Sequence, residues 1–190
     1  YSWSPPGAPG SYPNRGTGVR IPTLLEVFEA HPDSRINIEL KQVEPSIAAA
    51  TCDLIREFGR ERSVMVGSFH DRALSEFRAA CPDVATSAGP AEVRTLFILS
   101  RAFLGALWRP AADALQVPEF QGSLKVVTPD FVRAAHGKNV QVQVWTPNES
   151  EKIAELLAVG VDGIITDRPD RALHLLDRGG DFELPQGVHR

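Results

Sequence analysis

Six times between residues 36 and 176 a short aliphatic stretch is followed by an amphipathic helical stretch, and this recurrence constrains the fold more than any other property of the chain. The strand signals begin at residues 36, 64, 84, 115, 140 and 161. Every connection is long enough for a crossover helix, so the strands are expected to pair in parallel. Local signals mark the helix ends. Thr128-Pro129-Asp130 reads as an N-cap with proline at N1, and Asn148 and Glu151 stand at capping-box spacing. Gly160 closes one helix, and Pro169 opens the last. A helix over Thr23 to Ala30 is expected ahead of the first strand, and a long apolar one from about Pro90 to Trp108.

From residue 36 the units average roughly 26 residues, close to the ~30 per unit of a ~250-residue (β/α)8 domain. The expected class is α/β, a TIM-type barrel with its first two strand–helix units absent from this chain. A doubly wound open sheet is the structural alternative, disfavoured because no glycine-rich phosphate loop follows any strand. Residues 1–20 hold a dense run of proline and glycine and read as a loop, residues 21–178 as the barrel and 179–190 as a tail. The chain lacks an initiator Met and is expected to begin inside something longer or to have been cut.

Composition removes several function classes. A net charge of −4 and a pI near 5.7 argue against nucleic acid as a partner. No window approaches the ~18 apolar residues of a membrane span, so a soluble chain is expected, with the cytoplasm favoured. Cys52 and Cys81 both fall within helix patterns and read as small buried thiols rather than a disulfide framework.

The chemistry concentrates in Ile36-Asn37-Ile38-Glu39-Leu40-Lys41. Alternation places Asn37, Glu39 and Lys41 on one strand face and the aliphatics on the other. A carboxylate and an ammonium thus emerge together at the strand's C-terminal end, where barrel active sites lie, suited to a divalent cation and a phosphate. Three further segments stand in fixed order around this one: Ile21-Pro22-Thr23-Leu24, Val144-Trp145-Thr146, and Gly160-Val161-Asp162-Gly163-Ile164-Ile165-Thr166-Asp167-Arg168-Pro169. Together with Ser68-Phe69 after a strand, they resemble the glycerophosphodiester phosphodiesterase family from about Arg15 to about Leu176.

The resemblance implies a TIM-type barrel, a Ca2+ or Mg2+ ion, and hydrolysis of glycerophosphodiesters to glycerol 3-phosphate and an alcohol. It implies that Glu39 is a carboxylate ligand to the metal, Lys41 the phosphate-contacting lysine, Trp145 the aromatic that packs on the glycerol, and Phe69 part of the substrate wall. The family's two catalytic histidines, in His-Arg-Gly and His-Asp segments, and its Glu-x-Asp ligand pair have no counterpart in this chain. Those segments fall in the two absent units, so residues 1–190 alone are expected to be inactive and to need the missing segment or a second copy at the open sheet edges. His31, His136, His174 and His189 read as surface or capping residues. His70, after a strand's C-terminal end, is the one histidine that could face the site. Asp162 and Asp167 flank the last strand and compete with Glu39 as metal ligands, with Asp167 assigned instead to a helix N-terminus. The other classes are a catalytically inactive barrel acting as a binding module, and a related lipid phosphodiesterase, which would carry an apolar rim.

Overall fold

A computed structural model describes residue 8 and residues 10–177, and the 179–190 tail and His189 lie outside the described residues. The chain divides into two compact units, Tyr1–Arg35 and Ile36–Arg190. In the first, residues 10–23 carry turns but no strand or helix, and α1 (Leu24–Ala30) follows. Thr23 and Glu26 form a capping box at its start, and Arg20 pairs with Glu26, whose carboxyl drops to about 2 through that guanidinium and the Thr23 amide.

The second unit contains the six expected parallel strands. They are β1 (Ile36–Glu39), β2 (Val64–Gly67), β3 (Ala85–Thr86), β4 (Ala114–Pro118), β7 (Gln141–Trp145) and β8 (Gly163–Ile165). β1–β2–β3 and β4–β7–β8 are parallel ladders, and a parallel bridge between Ser87 and Ala114 joins them. The Ala88 amide donates to Ala114 O at 2.7 Å and the Asp113 amide to Thr86 O at 2.9 Å across that seam. Between β4 and β7 lies an antiparallel hairpin, β5 (Phe120–Gln121) and β6 (Leu124–Lys125), which is absent from the sequence-based expectations. Its two-residue turn uses Gly122 at φ +60°.

Alternation sorts the strands into two faces. Leu115, Val117, Val142 and Val144 join the apolar cluster that also holds Leu96, Phe131 and Leu156 from the helices. The opposite face carries Asn37, Met65, Gln116 and Gln143. Gln116 Nε2 donates to Asn37 Oδ1 and to Gln143 Oε1, both at 3.0 Å. Asn37 and Gln116 belong to strands three positions apart, a separation of about 14 Å on a flat sheet and too far for two amide side chains. The sheet is therefore strongly curved, with this polar face on its concave side. It does not close into a barrel among the described residues.

The helices after β1 to β4 are α2 (Ala48–Glu57), α3 (Asp71–Ala80), α4 (Pro90–Arg101) and α5 (Pro129–His136); α6 (Ser150–Val159) and α7 (Pro169–Leu175) follow β7 and β8. Thr128 caps α5 as expected, accepting from the Phe131 amide, and Gly160 ends α6 in the left-handed region. Three expectations need correction. First, α4 stops at Arg101: Phe103 turns left-handed at φ +59° and the Leu104 amide closes back on Leu99 O, after which Gly105–Leu107 forms a 3-10 turn that leads to buried Trp108. Apolar periodicity ran on because Trp108 belongs to the same core, not the same helix. Second, Asn148 caps nothing. Its Oδ1 accepts from Thr166 Oγ1 and the Asp167 amide, tying the loop after β7 to the loop after β8, while Glu149 takes the N-cap position without a side-chain bond. Asp167 in turn meets Asn148 Nδ2, and Arg168 is the N-cap of α7.

Third, Cys52 and Cys81 are joined as a disulfide, with Cα atoms 5.6 Å apart. Helical periodicity showed that each sulfur faces inward. It could not show that they face one another, because that depends on neighbouring crossover helices α2 and α3 packing side by side.

Arg78 and Glu92 anchor α3 to α4 at 2.8 Å, and Glu92 also accepts from the Gly89 and Ala111 amides. Burial pushes the Glu92 carboxyl up, but the Ala111 amide, Arg78 and the Gly89 amide outweigh it and hold the group below its ordinary 4.5. A depressed folded-state value stabilises the fold above the unfolded-state value, and this contribution is lost as pH falls through the folded-state value. Glu92→Gln is expected to cost about 2 kcal/mol at neutral pH. Denaturant titrations of the two proteins should converge as pH falls below 4.5.

Candidate active site

The C-terminal ends of five of the parallel strands, at Glu39, Gly67, Pro118, Trp145 and Ile165, and Ser87 directly after β3, line one cavity of about 940 Å3. This is the end at which parallel α/β sheets build their sites. Gly67 is required there. A Cβ on it would lie 2.8 Å from Ser87 Oγ and 3.0 Å from Gln116 Oε1, so the missing side chain leaves room for two polar atoms at the cavity floor.

Glu39 ends β1 and faces the cavity, and its Oε1 lies 2.8 Å from Lys41 Nζ. Leu40 between them is buried and its carbonyl accepts from Ser68 Oγ at 2.6 Å. Ser68 Oγ also accepts from the His70 amide at 3.1 Å, so one buried hydroxyl fixes the turns after β1 and β2 together. That turn exposes Phe69, whose ring meets Trp145 edge-on with centroids 5.8 Å apart. The cavity thus has a charged corner at Glu39 and Lys41, a polar floor at Asn37, Ser87 and Gln116, and an aromatic wall at Phe69 and Trp145.

Four of the sequence-derived residues therefore come together, although Lys41 stands outside the cavity wall and reaches it through Glu39. His70 is exposed at the start of α3 and does not line the cavity. Asp162 lies at the opposite end of the sheet, where its Oδ2 accepts from the Val142 amide at 2.7 Å and meets His136 Nε2 at 2.8 Å. It supports the strand start and cannot compete with Glu39. Sequence reasoning did not single out Ser87, Gln116 or Arg94, which also line the cavity. Gln116 was legible as the one polar residue in an aliphatic strand.

A Ca2+ or Mg2+ ion takes six or more oxygen ligands. Glu39 is the one carboxylate on the cavity wall, and no group of three or more His, Cys, Asp or Glu side chains converges among the described residues. These residues supply one ligand and do not by themselves make a divalent-cation site.

A profile of the glycerophosphoryl diester phosphodiesterase family matches residues 5–171. A Mycobacterium tuberculosis protein named "Probable glycerophosphodiester phosphodiesterase 2" is 34% identical over 173 residues, covering 88% of this chain and 64% of its own length. A glycerophosphodiester phosphodiesterase of Caldanaerobacter subterraneus is 29% identical over 86% of this chain and 65% of its own length. The chain thus spans just under two thirds of each of these relatives. An Oleispira antarctica phosphodiesterase, solved in complex with the product sn-glycerol-3-phosphate, shares the fold with a TM-score of 0.60 at 20% identity, over 82% of this chain and 61% of that one. The match to the family profile along nearly the whole chain, with the cavity where parallel strands end, places this chain in the glycerophosphoryl diester phosphodiesterase family.

Proposed function

We propose that the complete protein hydrolyses glycerophosphodiesters to glycerol 3-phosphate and an alcohol with a Ca2+ or Mg2+ ion. The observation that carries this reading is the Glu39–Lys41 pair at the mouth of a cavity with an aromatic wall. Lys41 binds the phosphate, Trp145 and Phe69 pack on the glycerol, and Glu39 would give one oxygen ligand to the metal, which would supply Lewis-acid chemistry when bound. The Lys41 ammonium, paired with Glu39, stabilises charge on the phosphoryl oxygens as the bond to the leaving alcohol breaks, and the aromatic wall excludes water from one side. The acid and base and the remaining ligands come from two further strand–helix units. The edges of β1 and β8, unpaired among the described residues, and the greater length of the relatives support that division. Residues 1–190 alone should release no glycerol 3-phosphate. The Cys52–Cys81 disulfide favours an oxidising compartment over the cytoplasm.

Lys41→Met tests the phosphate role. In a chain carrying all eight units it should lower kcat/KM about 10²-fold, equally for glycerophosphocholine and glycerophosphoethanolamine, because both present the same phosphodiester. A loss confined to one of them would place Lys41 beside the leaving group instead. The second reading, a binding module without turnover, draws on the absence of any described histidine from the cavity wall. Turnover by the eight-unit chain would exclude it.

A further inference from the structure

The cavity floor carries two polar atoms that the fold leaves unused. Ser87 is 3% exposed, yet it lines the cavity, and among the described residues its Oγ makes no hydrogen bond. Its backbone is fully engaged: the amide donates to Val66 O at 2.9 Å, and the carbonyl accepts from Arg78 Nη2 at 3.0 Å. The hydroxyl is therefore held firmly just past the end of β3, facing the cavity. A hydroxyl withdrawn from water is costly to leave without a partner.

Gln116 supplies the second atom. Its Nε2 donates to Asn37 Oδ1 and Gln143 Oε1, and Gln143 Nε2 donates onward to Gln141 Oε1 at 3.3 Å. This chain of amides uses both protons of Gln116 Nε2 and fixes the direction in which the group points. Gln116 Oε1 is left as an acceptor with no donor among the described residues. It faces the space above Gly67, where a Cβ would come within 3.0 Å of it and within 2.8 Å of Ser87 Oγ. The two atoms thus lie close enough for one oxygen to reach both. Ser87 can donate and Gln116 Oε1 can only accept, which complements a hydroxyl group, since that group donates one hydrogen bond and accepts others. A carboxylate or phosphate oxygen would meet Gln116 Oε1 as acceptor against acceptor, and an ammonium would leave the Ser87 proton unused.

We propose that Ser87 Oγ and Gln116 Oε1 bind one hydroxyl of the substrate and so determine a preference for polyhydroxyl ligands. This deepens the reading above and rests on the phosphate lying at Glu39 and Lys41. Ser87 donates to the hydroxyl oxygen, and the hydroxyl donates to Gln116 Oε1. The group belongs either to the glycerol or to a polyol released as the alcohol, such as inositol.

Calorimetric titration of the 190-residue chain tests this without requiring turnover. The probes are sn-glycerol 3-phosphate and its two deoxy forms, propane-1,2-diol 1-phosphate and propane-1,3-diol 1-phosphate, together with glycerophosphocholine and glycerophosphoinositol. If the hydroxyl is the glycerol's, one deoxy form should bind about 10- to 10²-fold more weakly than sn-glycerol 3-phosphate. If it is the alcohol's, both deoxy forms should match sn-glycerol 3-phosphate, and glycerophosphoinositol should bind more tightly than glycerophosphocholine by the same factor. In either case Ser87→Ala should remove most of the difference and leave the affinity of the weaker-binding probe unchanged. The thermal midpoint should not fall, because the hydroxyl has no partner to lose in the free chain. Equal affinities within both sets, in a chain that binds sn-glycerol 3-phosphate, would overturn the proposal, assign the floor to water and keep the phosphate corner. A preference that survives Ser87→Ala in a folded protein would overturn it too, as would a lowered midpoint, which would make the hydroxyl part of the fold. Binding of no probe by the unmodified chain would reject the corner and the floor together.

Discussion

Glu39→Gln, in a chain carrying all eight strand–helix units, is expected to lower kcat/KM for glycerophosphocholine by about 10³-fold or more, the several kcal/mol that a lost metal carboxylate represents. Among the described residues Glu39 is the one acidic residue on the cavity wall, and ligands from the two further units would complete its coordination rather than replace its oxygen. Substituting an isosteric amide at an exposed strand end should leave the fold intact, because among the described residues Lys41 is the side-chain partner lost, and that pair is largely exposed to solvent. The check is a titration of activity against Ca2+ and against Mg2+, paired with a thermal midpoint. Unchanged kcat with an unchanged midpoint of the metal titration would remove Glu39 from the site.

Reducing the Cys52–Cys81 disulfide, or replacing both residues by alanine, is expected to lower stability by about 3–4 kcal/mol, since the closed loop spans 29 residues. For a domain of this size that corresponds to a fall in Tm of roughly 10 °C. The mechanism is chiefly a gain in the freedom of the unfolded chain between α2 and α3, with little change in the folded one. Both sulfurs are buried, so reduction should proceed slowly in the native state and quickly once the chain is unfolded. Mass mapping of peptides under non-reducing conditions, with calorimetry before and after reduction, reads both effects. A pair of free thiols in the isolated protein, or an unchanged Tm on reduction, would contradict the disulfide's role.

The parallel strands were legible because β4 and β7 alternate strictly, with Leu115 and Val117 flanking Gln116 and Val142 and Val144 flanking Gln143. The ends of α5 and α6 were legible for the same reason: Thr128 and Gly160 act through their own backbone neighbourhood, which a sequence displays directly. What failed depended on distant partners. Asn148 carries capping-box spacing, yet Thr166 and the Asp167 amide compete for its side chain and win. Cys52 meets Cys81 through the packing of α2 on α3, and the β5–β6 hairpin is only two residues per strand, too short for periodicity to reveal.

The same division holds at the site. Glu39, Lys41, Phe69 and Trp145 were found because they sit in strand ends or motifs that a linear reading preserves. Asn37 and Gln116 stand out as polar residues in their strands, but the floor they form with Ser87 exists only once the sheet curves and brings β1 to β4, so no local signal announces their meeting.

The most direct test of the site is a titration of sn-glycerol 3-phosphate into the isotopically labelled chain, with and without Ca2+, followed residue by residue by NMR. The expected result is a saturable set of shifts at Asn37, Glu39, Lys41, Phe69 and Trp145. Shifts confined instead to the basic surface around Arg133 of α5 and Lys138 just after it, or none at Glu39 and Lys41, would contradict the placement of the phosphate at this cavity.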